Sequence, residues 1–124
     1  MDLQLERPGD HLFIRGYHED RIRVVHDEYQ LPLLIDADQV VQNWTDVSFS
    51  DLDESHLEPV FSLQPEIVLL GAGQTQVFLP PRLMMAFYSR QIGIEVMTIE
   101  AACRTFNILV GEGRRVAAAL LQDI

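Results

Sequence analysis

Lysine is absent from the 124 residues; all nine basic side chains are arginine. That absence removes every chemistry that needs a lysine amine: a Schiff base, a pyridoxal-phosphate anchor, or the lysine of a P-loop. Cysteine occurs once, at Cys103, so neither an intramolecular disulfide nor a cysteine-rich zinc site can form. A reducing compartment suits such a chain. No stretch approaches the roughly 18 apolar residues of a membrane-spanning helix. The opening MDLQLERPGD has acids and an early proline where a signal peptide would carry a basic start and an apolar run. The expectation is a soluble, cytoplasmic protein with no direct membrane insertion.

Positive charge is missing altogether between Arg23 and Arg82, whereas Asp27, Glu28, Asp36, Asp38, Asp46, Asp51, Asp53, Glu54, Glu58 and Glu66 all fall there. The formal net charge is −10. An acidic field repels phosphate backbones and anionic headgroups, which excludes nucleic acid as the expected partner and leaves a protein partner, a basic one included. A solvated acidic face is the structural alternative.

What is present reads as one globular domain over 1–124, with 48% hydrophobic residues and no repeats or low-complexity tract. His11 to Tyr17 and Arg21 to Val25 flank a polar turn and predict a hairpin, and Leu31 to Ile35 a further short strand. The polar segment from Asp36 to Glu58, with Trp44 and Phe49, has no clean period and reads as loop with short turns. From Pro65 the pattern changes. Ile67 to Leu70 is apolar on both faces, as a strand between two layers must be. Arg82 to Ile92 predicts a helix with Pro81 in its first turn and Gly93 at its C-terminal end. Ile94 to Met97 is the next strand; Thr98 is placed to cap a helix from Ile99 to Val110 that Gly111 ends. Arg115 to Leu120 closes the series as a strand despite its alanines, because a β-α-β-α run needs a closing strand. The fold class is therefore α/β: a compact three-layer domain with a central mixed sheet, a β-rich first half and a β-α-β-α-β second half.

The strand at Ile67 runs into Gly71-Ala72-Gly73, the start of a dinucleotide fingerprint. Position 76 is glutamine where a third glycine is needed, and the helix waits for Pro81, so the pyrophosphate contacts are missing. The glycines are expected to let the chain leave a buried strand sharply, and no ATP, NAD or flavin to bind there. A weaker ligand-site reading survives at the strand ends: Gly71, Gly73, Gln74 and Thr98 in one crevice, free amides at the start of the second helix, and Arg104 or Arg114 supplying charge to a small anionic or carbonyl ligand. Cys103 shares a helical face with Ile99, Ala102, Phe106, Leu109 and Val110, which makes it a packing residue rather than a nucleophile. His11 and His26 fall nearly opposite one another on the predicted hairpin beside Asp27. Two histidines and a carboxylate are a metal-binding set, but a loose pair on strands is more often unliganded, so no metal and no cofactor is expected.

Taken together, PEIVLLGAG at 65–73, GIEVMTIEAACRTFNILVGEGRRVAAAL at 93–120 and the spacing between them carry a longer signature: Pro65-Glu66, Gly71-x-Gly73, Met97-Thr98, Ala102-Cys103-x-Thr105-Phe106-Asn107 and Glu112-Gly113-Arg114. It resembles the family of unknown-function domains whose mitochondrial member is the NADH dehydrogenase (complex I) assembly factor 3. The resemblance implies a three-layer α/β domain without established enzymatic activity. It further implies, by analogy with the mitochondrial relative, a protein-interaction or assembly role on a membrane complex, the partner being a subunit or a second assembly factor. A homodimer is left open. The alternative is a small-molecule-binding protein or enzyme using the Gly71–Gln74 and Thr98 crevice with Arg104 or Cys103.

Overall fold

The computed structural model describes residues 11–73 and 77–122. A five-stranded mixed sheet lies at its centre. Its strands are β4 (Leu33–Ile35), β5 (Val40–Gln42), β6 (Ile67–Ala72), β7 (Gly93–Met97) and β8 (Val116–Leu121), in the order β5-β4-β8-β6-β7. β6 is parallel to both neighbours, and β4 joins β8 and β5 in antiparallel fashion. The expected mixed sheet is present, and the closing strand predicted at Arg115 to Leu120 is strand, shifted by one residue to Val116–Leu121.

Every residue of β8 is buried, because the sheet is covered on both sides. One face carries α1 (Glu58–Ser62), α2 (Pro81–Tyr88) and two 3-10 turns, Phe49–Asp51 and Glu54–Leu57. Val68, Leu70, Ala117, Ala119 and Leu121 point to that face and pack with Leu83 and Phe87. The intervening Leu69, Ala118 and Leu120 point to the other face, against α3 (Ile99–Gly111) and a separate three-stranded sheet. Period-two alternation thus sorts one apolar run into two cores.

The small sheet is the meander β1 (Ile14–His18), β2 (Arg21–Val24) and β3 (Asp27–Gln30). The hairpin of β1 and β2 matches the sequence reading; β3 does not appear in it, since its burial pattern alternates no apolar face toward a core. Asn107 on α3 holds β1 in place: its side chain accepts the Ile14 amide at 2.8 Å and donates to the Ile14 carbonyl at 2.7 Å. Ile14 is buried, so Asn107→Ala leaves both backbone groups unmatched. A loss of about 1–3 kcal/mol is expected in denaturant unfolding, with faster exchange of the Ile14 amide.

Several boundaries differ from the sequence reading. α2 ends at Tyr88 with Ser89 as its cap; the chain turns at Gln91, whose φ is 61°, and Gly93 opens β7 instead of capping the helix. α3 includes Gly111, and the left-handed residue that stops it is Gly113, with φ 81°. The Gly113 amide donates to Val110 and the Arg114 amide to Leu109, both backbone carbonyls, which is a Schellman closure. Within 36–58 the two 3-10 turns match the expected loop with short turns, whereas β5 is a strand that the reading did not contain. Trp44 belongs to the core: it is buried and its Nε1 donates to the Leu120 carbonyl at 3.1 Å. Arg90 ties α2 to this covering layer, lying 4.0 Å from the Phe61 ring centroid and pairing with Glu54 at 3.2 Å.

Candidate functional site

β6 leads through α2 to β7 on one side of it, and β7 leads through α3 to β8 on the other. The direction of winding therefore reverses while β6, β7 and β8 stay parallel, with α2 and α3 on opposite faces, and the carboxyl ends of β6 and β7 are the place where open α/β sheets form a crevice. Two of the sequence-selected residues meet there. Gly73 takes a φ of 69° as the chain leaves β6, and its carbonyl accepts the Ile99 amide at 3.1 Å. Thr98 caps α3, its Oγ1 accepting the Ala101 amide at 3.2 Å. These bonds engage two of the first-turn amides that were expected to be free for a ligand.

Gly73 and Thr98 line a hollow of about 360 Å³ with Tyr17 and Glu100. A second hollow of about 210 Å³ adjoins it through the same Tyr17 and Glu100 and is lined further by Arg15, Cys103, Arg104 and Asn107. Arg104 pairs with Glu100 at 3.8 Å, and both side chains are exposed. Such a pair orders little and contributes about 0–1 kcal/mol. Tyr17 and Asn107 were not singled out as lining residues; no local pattern marks them, because β1 reaches α3 only through tertiary packing.

The other selected residues lie elsewhere. Gly71 is buried within β6, and a Cβ on it would sit 2.9 Å from the Ala102 Cβ and 3.3 Å from the Ile99 Cα. Its role is close approach of α3 to the sheet, so of the two glycines only Gly73 serves the sharp exit. Arg114 stands at the opposite end of β8, roughly 20 Å of strand away. There the Glu66 carboxylate accepts the Arg115 amide at 2.8 Å and the Arg114 Nε at 3.2 Å. These bonds, the amide first, hold the Glu66 carboxyl below its ordinary range. The Glu66 and Arg114 of the sequence signature thus clamp the starts of β6 and β8. Gln74 lies outside the described residues.

Cys103 is buried on the sheet side of α3. Burial first, and then the Glu100 carboxylate, push its thiol up to about 12, against a smaller opposite effect of Arg104. The folded state therefore holds the proton more tightly than the unfolded chain. Its stabilisation is complete below the ordinary thiol value near 9 and falls as pH rises from there toward 12. Native protein at pH 8 is expected to react with a soluble disulfide reagent far more slowly than protein in denaturant; equal rates would make the thiol reactive. Among the described residues, no three His, Cys, Asp or Glu side chains gather as a metal-binding group. No described helix is long and apolar enough to cross a membrane.

Residues 14–121 match the family model described as protein of unknown function (DUF498/DUF598). The chain is 29% identical to the 13 kDa major membrane protein of Francisella tularensis subsp. holarctica over 98% of its own length and 99% of that protein. It is 38% identical over 85 residues to the Bos taurus NADH dehydrogenase [ubiquinone] 1 alpha subcomplex assembly factor 3, covering 67% of this chain but only 46% of the bovine protein. A solved Xanthomonas campestris structure superposes with a TM-score of 0.80 at 35% identity, covering 98% of this chain and 92% of that one. The match spans every strand from β1 to β8, and the signature residues clamp, cap and pack the fold they share, so this chain belongs to the DUF498/DUF598 family.

Proposed function

We propose that the chain is a non-enzymatic protein-interaction module that assists assembly of a membrane-bound respiratory complex, acting from the cytoplasm as one domain without a cofactor. The observation that carries this reading is the 38% identity to a complex I assembly factor. The acidic balance adds to it, favouring a basic protein surface over nucleic acid. The name of the Francisella relative fits work at a membrane. Affinity capture of the tagged chain after in-cell crosslinking, with mass spectrometry, tests the reading alongside native gels of a deletion strain. Enrichment of respiratory-complex subunits with a fall in the assembled complex supports it; an unchanged complex and no such subunits sink it.

The paired hollows around Tyr17 and Glu100 favour a second reading, a small-ligand site at Gly73, Thr98 and Arg104. Native mass spectrometry of protein purified from its own host separates the two. A retained small molecule that is lost in Thr98→Val would favour the ligand site.

A further inference from the structure

β7 forms one edge of the central sheet, and among the described residues no strand pairs with its outer side. The Gly93 amide donates to the Glu66 carbonyl at 2.9 Å. Backbone groups of alternate residues in a strand turn to alternate sides, so Gly93, Glu95 and Met97 face β6 while Ile94 and Val96 present their N–H and C=O groups outward. Such rows template the addition of another strand unless the edge is short or blunted. The opposite edge, β5, has three residues; β7 has five, and no proline.

The two sides of this edge differ in chemistry. On the α2 side, Val77, Phe78, Leu79, Met84, Ile94 and Val96 line a mainly apolar hollow of about 240 Å³, which Glu95, between Ile94 and Val96 on the strand, also borders. Phe78 is 83% exposed. Met85 and Tyr88 on α2 are also exposed. On the other side the alternation of β7 places the exposed Glu95. A strand laid against this edge would therefore meet apolar groups on one face and a carboxylate on the other.

The geometry points to the β7 edge and the Phe78 hollow as the docking site for an extended segment of a partner protein in which apolar residues alternate with arginine or lysine. Its apolar side chains sit against Phe78, Met84 and Val96, its cations beside Glu95, and its backbone pairs with Ile94 and Val96. A second copy of this chain is disfavoured, because it brings a second Glu95 to the same seam and another net charge of −10. A lipid surface is disfavoured because the outward backbone groups would find no hydrogen-bonding partner in it. This assignment rests on the interaction-module reading and names the surface and the partner chemistry.

The test uses the full ¹⁵N-labelled chain and two synthetic peptides of about eight residues, one alternating valine with arginine and one alternating valine with glutamate. The valine–arginine peptide is expected to bind saturably and to slow amide exchange at Ile94 and Val96 while leaving Glu95 and Met97 as they were. Phe78→Ser weakens binding by about tenfold or more without moving the melting temperature, since the ring is solvent-exposed. Glu95→Arg reverses the preference between the peptides. No saturable binding, or binding without protection of Ile94 and Val96, overturns the assignment. So does protection that grows with protein concentration alone, which marks a homodimer, or a Phe78 response to phosphatidylcholine vesicles in place of the peptide. If crosslinked capture yields the same respiratory-complex subunits with Phe78→Ser as with the unaltered chain, this edge falls and the interaction-module reading stands.

Discussion

Gly71→Val abolishes cooperative folding or lowers stability by roughly 3 kcal/mol or more, whereas Gly71→Ala costs about 1–3 kcal/mol. The first added carbon already lies 2.9 Å from the Ala102 Cβ and from the Leu120 Cδ2, and 3.3 Å from the Ile99 Cα. The leucine end can swing away; the Ile99 backbone can move only if the start of α3 lifts from the sheet. That lift would stretch the Ile99 amide from the Gly73 carbonyl and weaken the Thr98 cap beside it. Gly16→Ala is the control. A Cβ at Gly16 meets nothing within 4 Å, and its effect is expected within about 0.5 kcal/mol. Urea unfolding of the three variants separates close approach from the general cost of replacing glycine; an unchanged midpoint for Gly71→Val would overturn the packing account.

Phe106→Ala is expected to cost about 3–5 kcal/mol, a large part of the roughly 5–15 kcal/mol that holds a domain together. Phe106 is fully buried and packs in the layer formed by α3, β1 to β3 and the sheet. The loss combines the transfer term of the ring with a cavity that β6 and β8, fixed by neighbours on both sides, cannot close. Phe87→Ala makes the equivalent hole on the other face, where Phe87 also meets Phe61 edge to face at 5.2 Å between centroids. Thermal melts should fall by roughly 10 °C or more for each. A drop of only a degree or two for Phe106→Ala would mean that α3 is not the main cover of that face.

The second half of the fold was legible because each strand and helix there carries its own signal. Ile67 to Leu70 and Val116 to Leu121 are apolar at successive positions, which only a strand covered on both faces tolerates. Thr98 and the face of Ile99, Cys103 and Phe106 announce α3. Closure of the β-α-β-α series outweighed the helix preference of Ala117, Ala118 and Ala119, and these are strand. The first half was less legible. Asp27-Glu28-Tyr29-Gln30 is held as β3 by pairing with β2, not by any apolar rhythm, and Val40–Gln42 is too short to show one. Gly93 and Gly111 looked like helix ends because glycine commonly stands there; turns at Gln91 and Gly113 supply those ends instead.

From its residues alone this chain determines a layered α/β domain, the buried packing role of Cys103, a formal net charge of −10 and kinship with the DUF498/DUF598 family, because burial, capping and charge are properties of local sequence. Which residues share a site was decided only in three dimensions. Gly73 and Thr98 meet since β6 and β7 are parallel neighbours and end together, while Arg114 is carried to the far end of β8, where Glu66 holds it. Gly71 passes from a presumed turn to a contact surface for α3 because the helix approaches more closely than any side chain permits. The exposed β7 edge likewise exists only because strand order leaves β7 last; hydrogen-bond partners across a sheet are set by long-range pairing, and no local pattern encodes who stands next to whom.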